Sequence, residues 1–256
     1  MKKNFLFFIL YLASCILLIS CNRNKFDVDV SGINADIKIS RMEKEFFQAK
    51  TDSLLEIHHQ LHQKYRLFYQ RYVENIAGIG MVSDPAIAYS LKTFLSDKYV
   101  REVFNDTEKR FNDDLNDLNE GLTRAFKHCK YYFPDMVVPG AVTFVSGFQY
   151  AIAVTDSVLG IGLDMYLGND YNNYPKAGFP LYKISQMRRE YIIPDAMKSW
   201  LMTEFYSEPV RMTGALRSVG ENQIPKDMLG TMVQYGKIMY LLDAVLPETN
   251  DTIKIG

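Results

Sequence analysis

Residues 137–175 read VVPGAVTFVSGFQYAIAVTDSVLGIGLDMYLGNDYNNYP, and this stretch decides the fold class. It is the only long run with a strand period. Phe148, Tyr150, Ile152 and Val154 alternate with Gln149, Ala151, Ala153 and Thr155. Leu159, Ile161 and Leu163 alternate with Val158, Gly160 and Gly162, and Val142 and Phe144 begin a third alternation. Successive side chains of a strand point to opposite faces, so a period of two indicates half-buried strands. Gly147 and the Thr155-Asp156-Ser157 cluster punctuate them as turns. The expectation is an antiparallel meander of three short strands, ending at Asp164 in a loop dense in Asp, Asn and Tyr.

Both flanks read as helices, which must pack on the ribbon to bury their apolar faces. The predicted class is therefore α+β: a small antiparallel sheet over about 137–163, packed by helices. The alternation of Ile37, Ile39 and Met42 makes 36–42 a candidate edge strand. Leu54, His58, Leu61 and Tyr65 recur at helical spacing within 43–65, and Leu67, Phe68, Tyr72 and Ile76 continue it over 66–79. Ser83-Asp84-Pro85 opens the next helix. Asn105-Asp106-Thr107-Glu108 reads as a further start, since short polar side chains accept the free backbone amides there. Phe111, Leu115, Leu118, Leu122 and Phe126 then share one stripe, and Cys129 on it reads as a small core residue.

Downstream, 180–191 and 194–205 read as helices opened by prolines, 211–223 as a loop, and 225–246 as the cleanest helix. In that helix Met228, Met232, Tyr235, Met239 and Leu242 form a stripe expected to cover the ribbon. Leu229, Val233, Leu241 and Val245 make a second apolar side, expected to stay partly exposed. Residues 248–256 carry no packing signal.

The first twenty residues stand apart. Lys2 and Lys3 precede two apolar runs, and Leu18-Ile19-Ser20-Cys21 follows. A basic start, a short apolar core and a small residue before a cysteine resemble the leader and lipobox of a bacterial lipoprotein, in which Cys21 becomes the acylated first residue. The alternative is an uncleaved anchor helix, but the apolar run is short and ends in Asn22-Arg23-Asn24-Lys25. Residues 22–34 read as a polar tether and 35–256 as one globular domain. Loss of two lysines and no acid with the leader takes the formal charge from −1 to −3, and no basic field for nucleic acid is evident. With Cys15 removed and Cys21 acylated, Cys129 is the one remaining thiol, so the body forms no internal disulfide.

Two groups of residues invite chemistry. His58 and His62 stand at i and i+4 on one helical face, a spacing that can chelate zinc. The peptidase motif H-E-x-x-H needs a glutamate where this chain has His59, and the plain alternative is a helix with one inward histidine. Asp164, Asn169, Asp170 and Tyr171, with Asn172 and Asn173, crowd the loop after the third strand. Hard oxygen ligands at that density could hold calcium, although the same residues also simply make loops. Tyr166, Tyr171, Tyr174 and Tyr182 around them read either as core or as a surface for a partner.

Several blocks then carry a resemblance. They are Ile39-Ser40-Arg41-Met42 with Phe46-Phe47, and Lys130-Tyr131-Tyr132-Phe133-Pro134. Next come Leu163-Asp164-Met165-Tyr166-Leu167-Gly168 with Tyr174-Pro175, and Met187-Arg188 with 192–194. The last are Tyr235-Gly236-Lys237, Leu241-Leu242-Asp243 and Leu246-Pro247. In this order, from about residue 35 onward, the chain resembles the gliding motility lipoprotein GldB family of Bacteroidetes. Asn22 rather than Asp follows the cysteine, and by analogy with bacterial lipoprotein sorting this gives the expectation of an outer-membrane lipoprotein with its body facing the periplasm and no cofactor beyond the lipid on Cys21. The resemblance implies a non-enzymatic part in gliding or envelope machinery, with the membrane and other envelope or motility proteins as partners. The family is distantly similar to predicted zinc peptidases, in which a metal-ligating glutamate stands where this chain has Tyr235. That likeness implies a peptidase-like fold without its metal site, and leaves an active or degenerate envelope hydrolase as the alternative. Family members usually continue beyond the Leu-Pro block, so a C-terminally truncated domain is expected here.

Overall fold

The computed structural model describes residues 25–112, 115–206 and 228–255. The leader, Cys21 and the loop expected over 211–223 lie outside the described residues. The fold is α+β, a small open sheet among many helices. Its strands are β1 (Ile39–Arg41), β2 (Gly140–Phe144), β3 (Ile152–Val154) and β4 (Val158–Gly162), in the order β1-β2-β4-β3. The candidate edge strand thus forms at 39–41.

The pairing corrects the expected antiparallel meander. β1 runs parallel to β2, β2 runs parallel to β4, and only the β3–β4 hairpin across the Thr155-Asp156-Ser157 turn is antiparallel. A meander requires β2 to turn straight back onto the next strand. Residues 145–151 instead make a wide loop with left-handed backbone at Gly147 and Phe148 (φ 70° and 66°), and β4 enters between β2 and β3. The alternation that begins at Phe148 therefore becomes strand only from Ile152.

The strands are also not half-buried. Ala153, Leu159, Gly160, Ile161 and Gly162 are all buried, so both faces are covered, as in sheets with parallel pairing. The glycines that read as the solvent side are places of close approach. A Cβ on Gly160 would stand 2.4 Å from the Phe68 ring, and one on Gly162 would stand 2.1 Å from the Tyr150 carbonyl oxygen.

β1 leads directly into α1 (Met42–Phe47), which sends Phe46 and Phe47 into the core. α2 (Leu54–Tyr65) follows, and α3 (Leu67–Arg71) runs into a π turn over Tyr72–Ile76. α4 (Ile87–Ser96) ends at Asp97, whose carboxylate accepts from the Val100 amide at 2.9 Å and caps α5 (Lys98–Arg110). The start expected at 105–108 lies inside α5. Thr107 there is buried and donates back to the Val103 carbonyl at 2.8 Å, so it is no cap. The break comes at Leu115, with φ of 56°, before α6 (Asn116–Tyr132). Leu118, Leu122, Phe126 and Cys129 are buried along α6 as expected, while Phe111 and Leu115 are buried outside it.

The helix expected over 180–191 is two short pieces. α7 (Asn173–Lys176) is followed by α8 (Leu181–Ile184) and a 3-10 turn at Arg189–Tyr191. Between the last two the chain turns, and the Met187 carbonyl accepts from the Gly168 amide at 2.9 Å. α9 (Ile192–Tyr206) begins two residues before Pro194, which sits in the first turn where no intrahelical donor is needed. It packs against β3, β4 and α6.

α10 (Met228–Val245) packs on α9 and α6 rather than on the ribbon, which corrects the expected partner. The ribbon is already covered by α9 and Phe68. The polar end folds as well. α11 (Asp251–Ile255) buries Lys254, whose ammonium pairs with Asp243 and, at 2.8 Å, with Asp251. The expected tether docks at one residue: Phe26 is buried edge-on against Tyr240 at 5.2 Å, while the rest of 25–34 is exposed or half-buried. Just beyond it, the Ile37 and Ile39 amides donate to Thr123 and Asn119 of α6.

Candidate functional site

The polar interior centres on Asp164. It lies fully buried in the 3-10 turn after β4, and its carboxylate reaches back across the sheet to the loop that follows β2. It accepts from the Ser146 amide at 3.1 Å, the Phe148 amide at 2.7 Å and the Ser146 hydroxyl at 3.1 Å. The Tyr174 hydroxyl donates to the Asp164 carbonyl and accepts from the Leu167 amide, both at 2.8 Å. Tyr72 donates to the Val145 carbonyl at 3.0 Å. This clamp holds Gly147 and Phe148 in their left-handed conformations. Burial lifts the Asp164 carboxyl from 3.8 to about 6, against the opposing pull of its amide donors.

The Ser146–Asp164 pair is not a nucleophile and its base. Ser146 Oγ already accepts from the Gln149 and Tyr150 amides at 3.0 and 3.1 Å while facing Asp164, so its bonding capacity is used.

A second buried carboxylate, Glu43, ties β1 to its neighbours. It pairs with Arg41, and Thr143 of β2 donates to it at 2.6 Å. Arg41 also reaches Glu108 of α5 at 3.0 Å. Burial raises the Glu43 carboxyl above its ordinary range, while the Arg41 charge pulls it down.

The histidine pair does not form a chelate. His58 is buried, its Nδ1 3.0 Å from the Tyr69 hydroxyl and its Nε2 3.2 Å from the Val82 carbonyl. A carbonyl can only accept, so Nε2 carries the proton and Nδ1 accepts from Tyr69. Both ring nitrogens are thereby occupied. Burial lowers the His58 pKa, helped by the neighbouring His59 and His62. His59 is exposed and His62 half-buried.

Nor does the loop gather its oxygens. Asp164 is interior, whereas Asn169 and Asp170 are exposed. A Cβ on Gly168 would stand 2.5 Å from the Asp170 carboxylate and 2.8 Å from the Arg110 guanidinium, which lie over the backbone there. Tyr171 donates to Asp106 at 3.0 Å and accepts from Asn173 at 3.1 Å. Tyr166 and Tyr174 are core, Tyr171 is half-buried and Tyr182 is exposed. Among the described residues, no group of three or more His, Cys, Asp or Glu side chains is placed to hold a metal ion. Cys129 is buried, which pushes its thiol up to about 12.

What sequence reasoning placed only in part is the surface of α10. Met228, Leu229, Met232 and Val233 are 78, 71, 59 and 49% exposed, whereas Ile238, Leu242, Ala244 and Val245 are buried. Both expected stripes are therefore split along the helix axis: each is bare at its N-terminal end and covered at its C-terminal end. Beside the bare half lies an open groove of about 690 Å³, lined by Phe133, Phe205, Val233, Gly236, Lys237, Tyr240 and Leu241. Among the described residues no helix is long and apolar enough to cross a membrane.

The blocks noted in the sequence fall on these features. The Arg41 block forms the Glu43 network, the Asp164 block forms the clamp, and the Tyr235-Gly236-Lys237 block lies on the bare half of α10. No curated protein and no solved structure matches the chain. A family model described as gliding motility protein GldB matches residues 23–256, nearly the whole length. The chain belongs to the GldB gliding motility family.

Proposed function

We propose that this protein is an acylated envelope lipoprotein that serves gliding or envelope machinery as a non-enzymatic component. In this reading Cys21 carries the lipid, the anchor sits in the outer membrane and the body faces the periplasm. Its partners are other envelope or motility proteins. The observation that carries the reading is the family match, which spans the body and begins two residues after Cys21. The polar interior agrees with it. Asp164, Glu43 and His58 are each engaged in tying one element to another, an arrangement that holds a fold rather than meets a substrate.

Replacement of the chromosomal gene by the Cys21→Ser form tests the proposal. Fatty-acid labelling of the protein should vanish, the body should leave the membrane fraction, and colony spreading should fall to the level of a deletion. Continued labelling, or unchanged spreading in the unlabelled strain, contradicts it. Stoichiometric zinc in the purified body would favour a hydrolase instead.

A further inference from the structure

By the 3.6-residue period, Met228, Leu229, Met232, Val233, Gly236 and Tyr240 share one face of α10. Among the described residues this face is apolar and largely exposed, and from Met228 to Leu242 the only charged residue is Lys237. A contiguous apolar patch of this kind marks a surface that is covered in use. The chain itself indicates what covers it. Phe26 packs on Tyr240 at 5.2 Å, and the Lys25 ammonium lies 4.5 Å from the centre of the same ring. From Cys21 to Phe26 is five residues, a reach of at most about 18 Å even when fully extended. A lipid on Cys21 must therefore enter its membrane within that distance of Phe26, which packs on α10 itself.

We propose that the exposed face of α10 rests on the lipid surface that holds the Cys21 anchor, with Met228, Leu229, Met232 and Val233 in the headgroup–acyl boundary. This rests on the acylation reading above. The composition suits an interfacial helix. Tyr240 and the neighbouring pair Tyr131–Tyr132 offer apolar rings with polar tips, and Lys25 and Lys237 offer cations that reach back to headgroups. The acyl anchor holds the protein to the membrane, and this helix adds a second, interfacial contact beside it. The anchor keeps lipid at high local concentration beside the patch, so lipid meets it ahead of any freely diffusing partner.

The test uses the full acylated protein on vesicles of phosphatidylethanolamine and phosphatidylglycerol. Cys129 is buried, so Leu229→Cys introduces the one reachable thiol for an environment-sensitive fluorophore. Tyr89→Cys on α4, also exposed, is the control. The label at 229 should shift to the blue and be quenched by nitroxide-bearing lipids several-fold more than the label at 89. Adding Met232→Asp and Val233→Asp should abolish that difference while the protein still floats with the vesicles. Equal quenching at both positions in floating protein overturns the docking face and leaves the anchor standing. A blue shift at 229 without lipid quenching means a protein covers the patch, and also overturns it. Failure to float defeats the anchor, and the inference falls with it.

Discussion

The strand ribbon and the last long helix are both rich in apolar residues, yet the fold treats them in opposite ways. Between Gly140 and Gly162 every strand is covered on both faces, and the loop that departs from β2 is pinned by a buried carboxylate. Along α10 the second half is buried on α9 and α6, while the first half carries Met228, Leu229, Met232 and Val233 into the open. In the ribbon, small residues at Gly160 and Gly162 let neighbours approach until no space remains. In the first half of α10 the large side chains are covered only in part by the described chain. Apolar content therefore does not identify a core. Room for a neighbour and a partner for each polar group do.

The contrast can be broken most forcefully at the ribbon. Gly162→Ala places a Cβ against the Tyr150 backbone oxygen, which cannot swing aside as a side chain would. It should cost about 3 kcal/mol of stability, read from the urea midpoint. A cost below about 0.5 kcal/mol would show that the ribbon is looser than described.

Asp164→Asn comes next. The amide group can accept for one oxygen only, and its NH2 would face an amide donor, at a cost of about 2 kcal/mol. This substitution also has a pH signature. Because burial raises the folded pKa from 3.8 to about 6, the folded state binds a proton more readily than the unfolded chain. Wild type should gain stability relative to Asp164→Asn as the pH falls from about 6 towards 4. A constant difference over that window would show that the clamp is not set by a buried carboxyl.

His58→Ala leaves the Tyr69 hydroxyl and the Val82 carbonyl unpaired, and should cost about 2 kcal/mol. Half-buried His62, replaced by Ala, should cost about 0.5 kcal/mol. The His58 titration opposes that of Asp164. Its folded pKa is depressed below 6.5, so its contribution is present above that value and is lost as the unfolded chain takes up a proton below it. Equal costs at positions 58 and 62 would contradict the distinct environments of the two rings.

The smallest effect on stability belongs to α10. Leu229→Asp with Val233→Asp should move the urea midpoint by an amount equivalent to no more than about 0.5 kcal/mol, because both side chains already face outward. A loss of several kcal/mol would mean that the face is covered by the chain itself and is not free for lipid.

Much of this was legible in the sequence, and what escaped has physical reasons. The Leu118, Leu122 and Phe126 stripe, the 155–157 turn and the edge strand at Ile39 follow from local period and turn chemistry. Strand direction did not, because it depends on Asp164 reaching Ser146 and Phe148 from across the sheet. Gly160 and Gly162 read as a solvent face because alternation cannot tell an absent side chain from an exposed one. The Phe68 ring that settles the matter at Gly160 comes from a distant helix. Spacing put His58 and His62 on one face, but only the fold brings Tyr69 and Val82 to the first ring. Spacing groups Asp164 with Asn169, Asp170 and Tyr171 in one loop, but the fold buries Asp164 fully while Asn169 and Asp170 stay exposed. The apolar excess of α10 was plain. Which part of it stays bare depends on α6 and α9, which the helix pattern alone does not contain.

Hydrogen–deuterium exchange tests the account most directly. The acylated protein on phosphatidylethanolamine–phosphatidylglycerol vesicles is compared with the Cys21→Ser protein free in solution. Slower exchange on vesicles, confined to amides of residues 228–237 with 140–166 unchanged, is the predicted result. Unaltered exchange over 228–237 in vesicle-bound protein would contradict the claim that this face of α10 rests on the membrane.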